Sequence, residues 1–368
     1  MRKKIAVLRA NALGDFIFVL PALRAIKETY PDSEIVYLGK AWHKEYLENR
    51  NTPVDRVIIV PPYPGVGETE GYKPDPKVLD KFFAEMLQEE FDLALQLHGG
   101  GKNSNPFVLR LGAKLTVGLK TPDAVSLDIN VPYVYYFSET LRYLEVVSYI
   151  GAKTSYIEPE VEVTRQDIDE ARRVIGQSWG KPVAVIHPGA SDLRRRWPEE
   201  NFAQIADELV TKGFKVYLTG IPEESLLLER VYELGQNKSE IINLCNKLSI
   251  GGMTGLLSMA DLLITNDTGP LHLARAIKIP TVGVYWCGNA ITGLPMTTSL
   301  HRSIPSFKAN CPLCGLSSKK FGKSDHGECN HETSFVTDVS VIEVKNALHE
   351  LLNQNQKEER ITLQIKVA

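Results

Sequence analysis

The sequence has no run of 18 or more apolar residues, so no segment has the length and hydropathy of a membrane-spanning helix. Cysteine is scarce: five among 368 residues, an odd number, which argues against a disulfide framework. Neither sign of charge dominates. A formal net charge of -3 leaves no global basic field to hold nucleic acid, so any anion must be bound by a local site. A secretory leader is missing as well: Met1-Arg2-Lys3-Lys4 runs straight into a strand-like Ile5-Ala6-Val7-Leu8 without a cleavage pattern, which predicts a cytosolic protein.

What remains is an ordinary globular composition, 43% hydrophobic and 24% charged, outside the disordered, collagen-like and membrane classes. The length exceeds what one hydrophobic core supports, so two domains are expected. Short β-branched runs alternate with amphipathic stretches, the pattern of βαβ units and parallel sheets, and the fold class is α/β. Strands are predicted at 4–9, 34–38, 56–60 and 93–97, with helices near 16–30, 76–90 and 138–150. A second series has strands at 183–187, 215–219, 241–243, 262–265 and 281–285, with helices near 199–211, 223–234 and 271–278. The segment 151–164 lacks helical period and carries Pro159, so the expected domains are 1–160 and 161–338. Both series open alike, each with a strand followed by a Gly- and Asp-bearing loop, as two Rossmann-like halves would. Ligands in such sheets bind beyond the carboxyl ends of the strands, which directs attention to the strand-to-helix loops.

Three loops stand out. Leu262-Leu263-Ile264-Thr265-Asn266-Asp267-Thr268-Gly269-Pro270-Leu271-His272 is a buried strand, a polar turn and a helix with proline in its first turn. The first amides of a helix lack internal acceptors and carry the positive end of its dipole, so a diphosphate can dock at Asp267, Thr268, Gly269 and Pro270. His272, four residues after Thr268, would lean toward the same anion. Capping of the helix by Asp267 or Thr268, with His272 merely packed, explains this turn about as well. The second loop, His187-Pro188-Gly189-Ala190-Ser191-Asp192-Leu193-Arg194-Arg195-Arg196-Trp197-Pro198, joins small polar groups to three arginines, whose guanidinium groups suit phosphate oxygens. A solvated basic surface is the competing explanation. In the third, Arg9 to Asp15, a carboxylate at the end of the first strand would repel phosphate but could deprotonate a hydroxyl; an N-cap is the alternative role for Asp15. Asn11 and Gly14 flank it as acceptor contacts. The turn at Thr219 to Glu224 offers Glu223 and Glu224 to ribose hydroxyls, or simply to the helix dipole. In 97–103, the polar loop, His98 and Lys102 could touch an acceptor, and 133–137 is dense in aromatics.

These residues, from Ile5-Ala6-Val7-Leu8-Arg9 through Leu13-Gly14-Asp15 and Pro21-Ala22-Leu23-Arg24, then His187-Pro188-Gly189-Ala190 with Arg196-Trp197-Pro198, and finally Asn266 to Ala274, resemble glycosyltransferase family 9, the heptosyltransferases of the lipopolysaccharide inner core. The resemblance spans nearly the whole chain. It implies the GT-B fold, two Rossmann-like domains with parallel sheets facing across a deep cleft, and inverting sugar transfer without a catalytic metal. By that resemblance Asp15 is the general base, while His187, Gly189, Ala190, Ser191 and Arg195 join Asp267 to His272 around the donor diphosphate. The implied donor is ADP-heptose. The implied acceptor is a saccharide, which a lipid anchor could hold at the inner membrane face, with the enzyme cytoplasmic or peripheral there. The same fold could instead serve a protein or small-molecule acceptor, a binding module without transfer, or an epimerase.

Cys311-Pro312-Leu313-Cys314 has the spacing of a metal knuckle, and Cys329 with His331 or His326 follows. Some relatives carry a four-cysteine cluster here, whereas this chain has Phe335 where a last cysteine would stand. The set could hold a structural zinc or iron; free thiols in a loop are the competing explanation. The connection 287–337 is too long for an ordinary loop and is expected to be a functional insertion or to be pinned by that metal. A last helix near 339–354 is expected to pack back on the first domain.

Overall fold

The computed structural model describes residues 2–67, 75–176, 180–316, 329 and 331–367, with side chains through Gln354. The chain divides into two compact units, Met1–Glu162 and Val163–Ala368.

The first unit holds six strands: β1 (Lys4–Leu8), β2 (Glu34–Gly39), β3 (Arg56–Ile59), β4 (Leu93–Gln96), β5 (Leu115–Lys120) and β6 (Ile129–Pro132). All pairings are parallel, in the order β3-β2-β1-β4-β5-β6. The second unit repeats the plan with β7 (Val183–His187), β8 (Lys215–Leu218), β9 (Ile241–Asn243), β10 (Leu262–Asn266), β11 (Thr281–Trp286) and β12 (His301–Ser306), in the order β12-β11-β10-β7-β8-β9. Read from β9, this is the same doubly wound topology. Each sheet reverses direction at its centre, between β1 and β4 in one and between β7 and β10 in the other. The sequence dictates these central strands: Ile5 to Leu8 and Leu262 to Asn266 are buried without alternation, because helices cover both faces of a parallel sheet.

Three strands escaped the pattern of apolar runs. β5 has a glycine and two polar residues, while β6 and β12 are outermost strands, where Pro132 and Pro305 are tolerated because an edge need not donate every N–H. Among its described residues, the connection 287–337 contains the helix Cys287–Gly293 and β12. The last helix, Val341–Val367, is anchored within the second unit. Its buried residues Val344, Ala347, Leu348 and Leu351 belong to the core of the second unit, beside Trp197, Phe202 and Trp286. The Trp197 indole N–H reinforces this by donating to the Val339 carbonyl at 2.8 Å.

Candidate active site

At the carboxyl edge of the first sheet, β1 ends on Arg9, whose guanidinium is almost wholly buried. It donates to the Leu97 carbonyl at 2.9 Å and to Asp15 Oδ1 at 2.5 Å, and it lies 3.4 Å from Glu139 Oε2. Burial works against its charge, yet the groups around it, Tyr143, Asp15 and Glu139, hold its pKa above the ordinary arginine value. Asp15 sits in the first turn of the helix Leu13–Thr29 and its second oxygen accepts from Ala12 N at 3.2 Å. It therefore caps and also remains about a third exposed, with one oxygen pinned by Arg9. Asn11 and Gly14 lie half-buried on either side of that turn.

His98 follows β4. Its Nδ1 accepts from Ala10 N at 3.1 Å, so Nε2 carries the proton and donates to the Gly65 carbonyl at 2.8 Å. Burial pushes its pKa down to about 4, with the charge of Arg9 adding to the effect, and the ring is neutral. Both ring nitrogens serve the loops, which makes His98 a brace between the first, third and fourth strand ends. Lys102 projects into solvent and pairs with exposed Asp123 at 3.0 Å. Gln96, buried on β4, secures the loop between them: its amide donates to Ser104 Oγ and to the His98 and Gly99 carbonyls.

The corresponding edge of the second sheet has the opposite character. β10 delivers Asp267, and the helix Gly269–Ala276 starts with Thr268 as its N-cap, without a side-chain capping bond. Simple capping thus does not account for the turn. Asp267 instead receives the His272 Nε2 proton at 3.0 Å. Arg275 Nη1 faces His272 Nδ1 at 3.1 Å, and since arginine can only donate, the imidazole is the neutral tautomer. Burial and the neighbouring Arg275 and Arg195 charges keep the His272 pKa low, with the Asp267 hydrogen bond opposing. For Asp267 itself burial would raise the pKa, but the His272 bond and the Arg195 charge outweigh it and bring it down to about 2.

The arginines divide their work. Arg194 folds back on Asp192, with two 2.8 Å bonds to its carboxylate, and Arg196 Nε donates to the Ala190 carbonyl at 2.8 Å. Arg195 reaches the turn after β10: Nη1 donates to the Asp267 carbonyl at 3.0 Å and lies 3.6 Å from its carboxylate, while Nη2 donates to Ser191 Oγ at 2.9 Å. Ser191, Arg195, Asp267 and His272 so form one cluster beside the helix start. Asn266 stitches the two loops together, accepting from Trp197 N at 2.9 Å and donating to the Pro188 carbonyl at 2.7 Å. An asparagine closing the buried strand Leu262-Leu263-Ile264-Thr265 is the sequence signal for this role.

His187 is buried, 3.3 Å from Thr219 Oγ1 and 3.9 Å from Glu224, and burial holds its pKa at about 4. Glu224 is buried against Gly189, where a Cβ would come within 2.0 Å of Oε1. Burial raises the Glu224 pKa, while the Ile221 amide works the other way. Its neighbour Glu223 is exposed.

Beyond the end of β12, Cys311, Cys314, Cys329 and His331 converge, with all four ligand atoms within 4.8 Å of one another. His331 Nδ1 faces Cys311 Sγ at 3.6 Å and Cys329 Sγ at 3.4 Å, and the amides of Leu313 and His331 donate to the two sulfurs. Three thiols and an imidazole supporting each other this way fit a closed tetrahedral site. Phe335 is no ligand: it is fully buried, its ring 5.1 Å from Trp286, and its N–H donates to the Arg194 carbonyl at 2.8 Å. His326 lies outside the described residues.

Two doubly wound sheets, one of them carrying an arginine-flanked helix start, define the class of nucleotide-binding α/β proteins. The pattern of glycosyltransferase family 9 (heptosyltransferase) matches residues 80–301, and the chain belongs to that family. It is 32% identical over 296 residues to lipooligosaccharide heptosyltransferase 2 of Campylobacter jejuni subsp. jejuni serotype O:6, covering 77% of this chain and 81% of that one. It is 22% identical over 330 residues to the lipopolysaccharide core heptosyltransferase OpsX of Haemophilus influenzae, covering 87% and 88%. The structure of E. coli ADP-heptose lps heptosyltransferase II is similar with a TM-score of 0.74 at 17% identity, over 96% of this chain and 99% of that one.

Proposed function

We propose that this glycosyltransferase moves a heptose from ADP-heptose to a saccharide of the lipopolysaccharide or lipooligosaccharide inner core, with inversion at the anomeric carbon. The observation that carries it is the Ser191, Arg195, Asp267 and His272 cluster beside a helix start whose N-cap side chain makes no capping bond. A leaving diphosphate needs positive potential, and first-turn amides with a guanidinium supply it without reorganisation. Thr268, Gly269 and Pro270 would hold it through the backbone. His187, Gly189, Ala190 and Glu224 shape the floor, with Glu223 and Glu224 toward the ribose. Asp15 acts as the general base on the acceptor hydroxyl; its Arg9 bond keeps one oxygen fixed, and the other, which also accepts the Ala12 amide, takes the proton on its remaining lone pair. One inverting displacement needs one such base.

The acceptor is a lipid-linked saccharide met at the inner membrane face, and among the described residues no helix is long and apolar enough to cross a membrane. Cys311, Cys314, Cys329 and His331 would hold a structural zinc or iron, which with four protein ligands has no open position and supplies order rather than chemistry. Elemental analysis should find about one equivalent of metal per chain, and none in a Cys311→Ser, Cys314→Ser variant.

The direct test incubates the full chain with ADP-heptose and delipidated inner-core oligosaccharide. Mass spectrometry should show the oligosaccharide gaining a heptosyl unit, and NMR should show an anomeric configuration opposite to the donor's. Product from donor alone would point to an epimerase, and transfer from other nucleotide sugars only would overturn the assigned donor.

A further inference from the structure

One buried side chain organises the aromatic segment 133–137 after β6. Arg142, on the helix Glu139–Ser148, is almost fully buried and gathers three carbonyls of that segment onto one nitrogen: Val134 at 2.6 Å, Tyr135 at 3.0 Å and Phe137 at 3.3 Å. Its guanidinium carbon lies 4.4 Å from the centre of the Tyr133 ring. With its carbonyls turned inward, the segment keeps Val134, Tyr135 and Tyr136 more than 40% exposed, and the two tyrosine rings meet edge to face at 4.9 Å. Large aromatic rings are ordinarily drawn inward; here a buried cation fixes the backbone that holds them out.

The segment is also joined to Asp15. Arg142 and Tyr143 both donate to Glu139, Glu139 pairs with Arg9, and Arg9 pairs with Asp15. On the other side, Gly100 of the loop after β4 lies against Tyr133 and Thr121, where a Cβ would come 3.4 Å from the Tyr133 ring and 2.5 Å from Thr121. The ends of β1, β4 and β6 thus share one connected network, with the aromatic face at one end and the Asp15 carboxylate at the other.

We infer that Tyr135 and Tyr136 form an acceptor subsite that stacks against the apolar C–H face of a sugar ring, at a position set relative to Asp15 by Arg142, Glu139 and Arg9. This rests on the transferase function proposed above, in which Asp15 serves the acceptor hydroxyl. Tyrosine suits the task because it offers a flat apolar face and a polar rim to a ligand with the same two characters. Arg142 is a positioning residue, since its guanidinium is spent on the loop and on Glu139.

The test titrates delipidated inner-core oligosaccharide into the full chain by calorimetry, with ADP as a donor-side control. Tyr135→Ala with Tyr136→Ala should weaken oligosaccharide binding about tenfold, the scale expected for two aromatic stacking contacts, and leave ADP affinity unchanged. Tyr135→Phe with Tyr136→Phe should restore it. If thermal denaturation shows the alanine pair to be unfolded, the single alanine variants, each expected to lose part of the affinity, decide the matter. Unchanged oligosaccharide affinity in folded variants overturns the subsite. So does a variant that loses only its binding to vesicles containing anionic phospholipid, because the loop is then a membrane contact. Tyrosine-dependent oligosaccharide binding in a wild-type protein that transfers no heptose would leave the subsite standing and remove the transferase function instead.

Discussion

The carboxyl edges of the two sheets share a topology and differ in what their charges do. On the first, two arginines, Arg9 and Arg142, are buried and consumed by Glu139, Asp15 and loop carbonyls, leaving the second Asp15 oxygen for the role of base proposed above. On the second, Asp267 is consumed by His272 and Arg195, and the helix start with the Arg195 guanidinium is what remains. On the proposed function, one fold thereby presents a base on one sheet and an anion hole on the other, and the difference lies in loops rather than in the scaffold.

The largest effect should come from breaking the first edge at its reactive atom. Asp15→Asn keeps the size and the Ala12 contact but cannot take a proton, and kcat should fall about a thousandfold, within the range for loss of a general base. Transfer at the wild-type rate would remove Asp15 from the chemistry. Next comes the second edge: Arg195→Ala should lower kcat/KM by roughly a hundredfold to a thousandfold, as removal of one preorganised donor does, whereas a change in acceptor KM alone would place Arg195 elsewhere. A smaller loss is expected from Gly189→Ala, whose Cβ would fall on the Glu224 carboxylate. Crowding of this kind costs about 1–3 kcal/mol, visible as a lower Tm together with a higher donor KM.

The mildest prediction unites the edges instead of separating them. His98 and His187, one in each unit, are held neutral with pKa values of about 4, mainly by burial. An unfolded histidine titrates near 6.5, so between about 6.5 and 4 the unfolded chain binds more protons and stability falls as pH drops. Their contribution is complete above about 6.5 and is lost as pH falls toward 4. Thermal denaturation at pH 7 and pH 5 should show the lower Tm at pH 5; equal values would contradict the neutral assignment.

Much of this contrast could be read in the chain itself. Continuous apolar strands such as Leu262-Leu263-Ile264, followed by Asp267-Thr268-Gly269-Pro270, announce a strand-to-helix turn because burial, proline and glycine all constrain the same few residues. Asp15 at the start of a long apolar helix is legible for the same reason. The network of Arg9, Glu139 and Arg142 is not, since it joins residues 130 positions apart through contacts that only the sheet order creates. The arginine loop was legible in composition but not in role: nothing in three consecutive arginines says that Arg194 closes on Asp192 while Arg195 reaches Asp267. At the cysteines, spacing identified the knuckle, and folding shows why Phe335 can stand in the core while His331 completes the set.

The division of labour is tested most directly by measuring ADP affinity calorimetrically in Asp15→Asn and Arg195→Ala side by side. The account predicts wild-type affinity for Asp15→Asn and a loss of about tenfold or more for Arg195→Ala, the value of a charge-assisted bond to phosphate. Equal weakening in both variants, or none in Arg195→Ala, would contradict it.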